Sequence, residues 1–105
     1  MSDSPITVQP SQAAHVRYHL ILFVAGNEPN SVLARKNLED FCSAELDDLY
    51  ELQVMNVFED HRLALAHRVL VTPCLVMLDP QPSVMVAGTL QDKERLRLAL
   101  RLNKE

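Results

Sequence analysis

The sequence predicts an α/β domain built on one sheet, with helices on both faces of that sheet. A continuous apolar run at residues 20–25 ends at Gly26, a pattern typical of a strand that is buried on both faces. An amphipathic segment with helical spacing follows it. Near the other end of the chain, two apolar runs flank a proline-rich turn at residues 79–82, which indicates a β-hairpin. These elements together favour a mixed sheet.

The first helix follows directly from the first strand. Asn30 or Ser31 is expected to cap its amino end, because either side chain can accept hydrogen bonds from the free amides of a first helical turn. We expect one apolar stripe of this helix to pack on the sheet. Its members are Ala34, Leu38, Phe41 and Cys42.

A second strand and a second helix come next. Residues 50–57 alternate polar and apolar side chains through Val54, which predicts a strand, and two acidic residues then precede a short helix at residues 61–68. With hairpin strands at residues 74–78 and 83–88, the order becomes β-α-β-α-β-β-α, the thioredoxin-like arrangement. In that arrangement the strand at residues 50–57 lies at the edge of the sheet.

The last segment carries conflicting signals. Residues 96–102 alternate with period two, which by pattern alone indicates a strand. Their residue types are strong helix formers, and no β-branched residue occurs from Leu90 onward. We predict a helix from an Asp92 cap through Leu102. Such a conflict is expected where two packings compete.

Composition narrows the class of protein. The chain has 105 residues, 48% of them hydrophobic and 23% charged, which fits a single domain over residues 18–105. Residues 1–17 contain Pro5 and Pro10 and no sustained period, so we expect a flexible tail there.

A net charge of −4 argues against nucleic acid as a partner, and two glycines are too few for the common phosphate-binding loops. No leader or membrane-spanning run is recognisable, which predicts a cytoplasmic protein that binds no membrane.

Three segments carry a family resemblance. Residues 24–31 read Val-Ala-Gly-Asn-Glu-Pro-Asn-Ser, residues 69–75 read Val-Leu-Val-Thr-Pro-Cys-Leu, and residues 88–90 read Gly-Thr-Leu. They resemble the Val-Ala-Gly-Asn-x-Pro-Asn-Ser, Ala-Thr-Pro-Thr-Leu and Gly-Asp-Leu motifs of the circadian clock protein KaiB family. The first match is specific because it is long and contiguous. The resemblance extends without a gap from Tyr18 to Leu102.

The resemblance implies a regulator that is not an enzyme and needs no cofactor. KaiB proteins exchange between a tetrameric ground-state fold with a rearranged C-terminal half and a thioredoxin-like monomer. Only the monomer binds the hexameric ATPase KaiC. We therefore expect a clock or stress-signalling regulator that binds a KaiC-type ATPase and is capable of fold switching. A KaiA-like protein or a sensor histidine kinase is a further partner that the resemblance implies.

Four residues are expected to set the balance between the two folds. Pro73 and Gly88 belong to family motifs, whereas Ala99 and Arg101 replace the Gly and Asp that the family usually carries. Gly to Ala in a helix interior contributes up to about 1 kcal/mol, and Arg in place of an acid near the helix end adds about 0.3–1 kcal/mol. We expect the chain to rest as a thioredoxin-like monomer, with the tetrameric ground-state fold as the alternative.

Partner contacts are expected first at Glu51 and Gln53, because an edge strand offers unpaired backbone groups to a partner. Asn27, in the longest family motif, and Lys36, away from the apolar stripe of the first helix, complete the expected set. Gln53 stands where the family carries a basic residue that matters for partner binding, so the partner of this chain is expected to differ or to bind more weakly.

Cys74 supports an alternative function, a thioredoxin-like redox or thiol-binding role. It follows Pro73, the position of the cis-proline in the thioredoxin fold. Against this role, residues 26–31 contain no cysteine at the start of the first helix, where the helix dipole lowers a thiol pKa. The four histidines form no ligand pattern on a predicted helix, so no metal site is expected.

Overall fold

The computed structural model describes residues 6–8, 16–47 and 49–102. Its elements alternate as the sequence predicts, with one additional strand at the amino end. In chain order they are β1 (Ile6–Val8), β2 (Tyr18–Val24), α1 (Pro29–Glu45), β3 (Tyr50–Asn56), α2 (His61–Ala66), β4 (Cys74–Asp79), β5 (Val84–Ala87) and α3 (Lys93–Ala99). None of the helices among the described residues is both long enough and apolar enough to cross a bilayer.

The strands form one mixed sheet in the order β1-β3-β2-β4-β5. β2 runs parallel to β3 and antiparallel to β4, so the central strand joins a parallel half to an antiparallel half. α1 and α3 pack on one face of the sheet, and α2 packs on the other. The predicted thioredoxin-like α/β fold is confirmed, and the described chain does not adopt the alternative ground-state arrangement.

β1 corrects two predictions about the amino end. Residues 6–8 lie inside the expected tail, yet they form a strand that pairs antiparallel with β3, Thr7 facing Gln53. β3 is therefore not the edge strand that its sequence position predicts. All three residues of β1 are β-branched, the class most favoured in strands, and that signal outweighs the prolines on either side. The rest of the expected tail, apart from residues 16 and 17, lies outside the described residues.

Two apolar clusters form the core, one on each face of the sheet. The larger lies under α1 and α3, and it includes the whole predicted stripe of α1. The smaller lies under α2 and centres on Phe23, which is fully buried. Because alternate residues of β2 and β3 point to opposite faces, the two strands supply both clusters. This double burial explains the continuous apolar run of β2.

The start of α1 differs from the prediction. The helix begins at Pro29 with Glu28 at the N-cap position, and no side chain caps it. Proline suits this first helical position because its missing N–H is not needed there. Ser31 is buried inside the first turn, where its hydroxyl accepts a hydrogen bond from the Ala25 amide at 3.0 Å and closes the preceding loop.

α3 is helical, as residue propensity predicts, but it is shorter than expected. The Asp92 side chain accepts from the Arg95 amide at 3.1 Å and caps the helix, which ends at Ala99 and not at Leu102. The amides of Arg101 and Leu102 then donate back to the carbonyls of Leu98 and Arg97. This pair of hydrogen bonds is a Schellman motif, which needs a left-handed residue after the helix.

Each of the three helices in the described part of the chain is followed by a left-handed residue that is not glycine. Asp47, Arg68 and Arg101 have φ angles of 53°, 61° and 60°. The two glycines of the chain, Gly26 and Gly88, are used in loops elsewhere and also have positive φ. Each helix end therefore carries conformational strain that a glycine would relieve.

Candidate functional site

Glu51 and Gln53 lie together on the face of β3 that α2 leaves uncovered. They line a cavity of about 270 Å³ with His19 on β2 and Asp79 on β4. Both side chains are half-buried. The two expected contact residues on this strand are thus adjacent, and their surroundings are polar.

A row of three charged or titratable side chains crosses this face. His19 faces Glu51 on one neighbouring strand and Asp79 on the other. Its Nε2 lies 3.8 Å from Glu51 Oε1, and its Nδ1 lies 3.1 Å from Asp79 Oδ2 without the alignment of a hydrogen bond. The imidazole can pair with both carboxylates when it is protonated. No cluster of three or more potential metal ligands occurs within the described ranges.

Asn27 lies at the opposite end of β2, in the loop that leads into α1. This loop is held to the end of β3: the Gly26 amide donates to Asn56 Oδ1 at 3.2 Å, and Gly26 itself has a φ of 56°. Asn27 is left exposed at the turn. Lys36 is also exposed, farther along α1, where its ammonium lies 3.5 Å from Asp40 Oδ2. Of the four expected contact residues, Glu51 and Gln53 are therefore neighbours on β3, whereas Asn27 and Lys36 lie at two separate positions.

An exposed apolar surface lies near α2, and the sequence analysis missed it. Leu65, Leu70 and Val71 are 66%, 89% and 56% exposed, and they line a cavity of about 410 Å³. Arg62 and Arg68 are exposed next to them in sequence, on α2 and at its end. An exposed hydrophobic surface among polar residues is typical of a protein-binding site. Its sequence signal was the apolar run 69–71, which we used only for the family resemblance.

Cys74 is not placed for thiol chemistry. The residue is 1% exposed on β4, and burial raises its thiol pKa. A reactive thiol needs a lowered pKa and access to solvent, so the environment of Cys74 contradicts the alternative function. Cys42, on the buried stripe of α1, is more extreme: burial and then the nearby Glu39 charge raise its thiol pKa to about 12. Both cysteines act as small apolar core residues.

Two of the expected fold-state residues meet at one end of the hairpin. The peptide bond before Pro73 is cis, and the carbonyl of Pro73 accepts from the Gly88 amide at 3.0 Å. Gly88 has a φ of 110°, a conformation that side-chain-bearing residues rarely adopt. Immediately after it, the Thr89 carbonyl accepts from Asn37 Nδ2 at 2.9 Å, which ties the end of β5 to α1.

The other two fold-state residues lie at the end of α3. Ala99 is the last helical residue and packs against the main core. Arg101 was expected to interact with the helix dipole in the last turn of α3. The helix ends at Ala99, so Arg101 lies beyond that turn. Its guanidinium instead donates to the Pro80 carbonyl at 2.7 Å and joins the end of α3 to the hairpin turn.

The comparisons with known proteins agree with the resemblance. A profile of the KaiB domain matches residues 21–102. The circadian clock oscillator protein KaiB of Prochlorococcus marinus (strain MIT 9313) is 41% identical over 85 residues, which span 81% of this chain and 71% of that protein. The protein of the same name from Nostoc sp. is 39% identical over 89 residues, 85% of this chain and 82% of its own length.

Comparison with solved structures shows which proteins share the fold. The N-terminal domain of Synechococcus elongatus SasA matches with a TM-score of 0.70 and 28% identity over 100% of this chain and 97% of that domain. Mitochondrial thioredoxin 3 of Saccharomyces cerevisiae matches with a TM-score of 0.66 and 16% identity over 84% of this chain and 80% of that protein, a likeness of fold alone. By the extent of the profile match and the identity to its relatives, the chain belongs to the KaiB family.

Proposed function

We propose that this chain is a clock or stress-signalling regulator that docks on a KaiC-type hexameric ATPase in its thioredoxin-like state. The observation that carries the proposal is family membership combined with a helical α3 packed against the main core. The relatives are named circadian clock oscillator protein KaiB, and the N-terminal domain of Synechococcus elongatus SasA has the same fold. The proposed mode of action is regulation by binding, without catalysis.

The exposed surface of Leu65, Leu70 and Val71 is the proposed main contact with the ATPase ring. A leucine that is 89% exposed gains more from burial against a partner than any polar side chain nearby. Arg62 and Arg68, which are exposed and close to these residues in sequence, suit acidic groups on the ring. Asn27 and Lys36 are proposed as peripheral contacts, since both are exposed.

Glu51 and Gln53 are proposed as a second contact, where a partner adds a strand to the sheet. A KaiA-like protein or a sensor kinase would use this position, leaving the Leu70 surface to the ring. Strand addition relies on backbone hydrogen bonds and tolerates a changed side chain, which suits Gln53 in place of a basic residue.

The monomer is the proposed resting state, and exchange with a second fold is proposed from the family. In the described fold the charged and polar anchors of α3 reach α1 and the hairpin turn, which supports a resting state that is already competent to bind. A small energy gap is enough for exchange: a difference of about 1.4 kcal/mol changes the population ratio tenfold.

Co-elution with a KaiC-type ring tests the proposal. The full chain is incubated for hours with the hexamer of the same organism and ATP, and size-exclusion chromatography with light scattering measures the masses. We expect a free monomer that shifts to the ring fraction. A chain that stays separate at high micromolar concentration would contradict the proposed partner.

A matched pair of variants locates the contact. Leu70→Asp places a charge on the proposed surface, and Leu98→Asp places the same charge on α3, where the leucine is 74% exposed. We expect Leu70→Asp to weaken ring binding at least about tenfold and Leu98→Asp to leave it near the wild-type value. Equal losses in both variants would show that this surface is not the contact.

A further inference from the structure

The outer edge of β3 is occupied by the chain's own amino-terminal strand. β1 pairs antiparallel with β3, with Ile6 opposite Val54, Thr7 opposite Gln53 and Val8 opposite Leu52. The position proposed above for a partner strand is therefore filled in the free protein. A strand that is seated in a defined register also shows that this edge accepts an antiparallel strand.

β1 is too short to use the whole edge. It covers three residues of a seven-residue strand, because Pro5 precedes it and Pro10 follows two residues after its end. Proline cannot donate a ladder hydrogen bond, so the sequence itself prevents β1 from growing along β3. Each backbone hydrogen bond contributes only about 1 kcal/mol net, and a strand this short is easily displaced.

We propose that β1 is a built-in competitor that occupies the strand-accepting edge of β3, and that an incoming partner strand must displace it. The identity of that partner rests on the proposed function, whereas occupation of the edge does not. While β1 is seated, the apparent affinity of a partner strand is lowered in proportion to the fraction of molecules whose edge is free.

The side chains of β3 specify the kind of strand that replaces β1. Residues directly opposite each other in an antiparallel pair point to the same face. Leu52 and Val54 belong to the main core, so the incoming strand needs apolar residues opposite them. Glu51, on the other face, lies one position beyond the end of β1 and suits a lysine or arginine opposite it. A strand of alternating apolar and polar residues with one basic side chain fits this edge.

Hydrogen exchange of the full chain tests whether β1 occupies the edge. Successive amides of a strand point to opposite sides, so replacing both Thr7 and Val8 by proline removes at least one donor aimed at β3, whichever set of amides faces that strand. We expect the β3 amides that point away from β2 to exchange roughly tenfold faster in this double variant. A double variant with Ser11→Pro and Gln12→Pro, outside β1, should leave them unchanged. Equal exchange in the wild-type chain and the β1 variant would overturn the proposal.

A short peptide tests the competition without the ATPase. The synthetic peptide Ile-Thr-Val-Lys-Val repeats β1 and places lysine opposite Glu51, and Ile-Thr-Val-Glu-Val is its control. Chemical-shift titration of the β3 amides should show the lysine peptide binding the β1 variant at least about tenfold more tightly than the wild type, and more tightly than the control peptide. Equal binding to both chains would overturn the competitor role. Failure of the ATPase to bind either chain would contradict only the proposed function.

The variant's fold is checked before either result is used. Far-UV circular dichroism and the exchange of the β2 and β4 amides should match the wild type, because β1 pairs only with β3 and makes no ladder with β2 or β4. If the double variant does not fold, Thr7→Gly weakens the strand without adding a proline and should speed exchange of the same β3 amides by a smaller factor. No increase with that variant would also overturn the proposal.

Discussion

The guanidinium of Arg97 on α3 donates two hydrogen bonds to one carboxylate oxygen of Glu45 at the end of α1, with Nη2 at 3.0 Å and Nε at 3.3 Å from Oε2. Hydrogen bonding to Glu45, and then the charge of that carboxylate, raise the pKa of Arg97. A second oxygen, from Glu94 one turn earlier on α3, lies 3.0 Å from Nη1. The pairing of Glu94 with Arg97 depends on the helical spacing of residues three apart, and the Glu45 contact joins this helix to α1.

Arg97→Ala is expected to loosen α3 without unfolding the domain. The pair is partly exposed, so its effect is modest, and we expect the α3 amides to exchange a few-fold faster. Arg95→Ala on the same helix is the control, because that side chain is exposed. NMR-detected hydrogen exchange measures both. No difference between the two variants would mean that Glu45 does not hold α3.

Ala99→Gly is expected to weaken α3 at its last residue. Glycine in a helix costs up to about 1 kcal/mol relative to alanine, because it loses more backbone freedom on folding. Urea unfolding should show a loss of about that size, and secondary chemical shifts for residues 93–99 should become less helical. Unchanged shifts together with unchanged stability would contradict Ala99 as a fold-state residue.

Arg101→Gly is expected to be more stable than Arg101→Ala. Both variants lose the hydrogen bond to Pro80, but only glycine adopts a φ near 60° without strain. The expected difference in unfolding free energy is about 1 kcal/mol in favour of glycine. Comparing the two variants with each other removes the lost contact from the measurement. A larger value for alanine would show that the left-handed end carries no strain.

The buried thiol of Cys42 is expected to make the protein less stable in alkaline solution. In the unfolded chain the thiol ionises near its ordinary pKa of 9.0, whereas in the folded chain burial holds the pKa at about 12. The unfolded state therefore binds fewer protons between these values, and stability falls as pH rises through that window. The loss is about 1.4 kcal/mol per pH unit.

Denaturant unfolding between pH 8 and pH 10.5, roughly the lower half of that window, checks the Cys42 prediction. Cys42→Ala should give a shallower dependence on pH, although the smaller side chain lowers stability at every pH. The slope is therefore the quantity to compare. Identical slopes for the two chains would rule out ionisation of Cys42 as the cause.

The sequence by itself determined the order of elements from β2 to α3, the α/β class and the family. Each of these depends on signals that act over a few residues, such as the apolar run of β2, the stripe of α1 and the helix-forming composition of α3. For residues 96–102 the helix-forming residue types gave the right prediction and the alternating pattern gave the wrong one. Leu96 and Leu100 are four residues apart, about one helical turn, so a helix places both side chains in the core.

The tertiary structure alone decided which strand lies at the edge. The pairing of β1 with β3 joins Ile6 to Val54 across half of the chain, and no local pattern in either strand specifies that pairing. It also decided that His19 and Asp79 join Glu51 and Gln53 on one face while Asn27 lies at the other end of the sheet, and that the thiol of Cys74 is buried. Such relations follow from long-range contacts and burial, which depend on all elements packing together and not on any one of them.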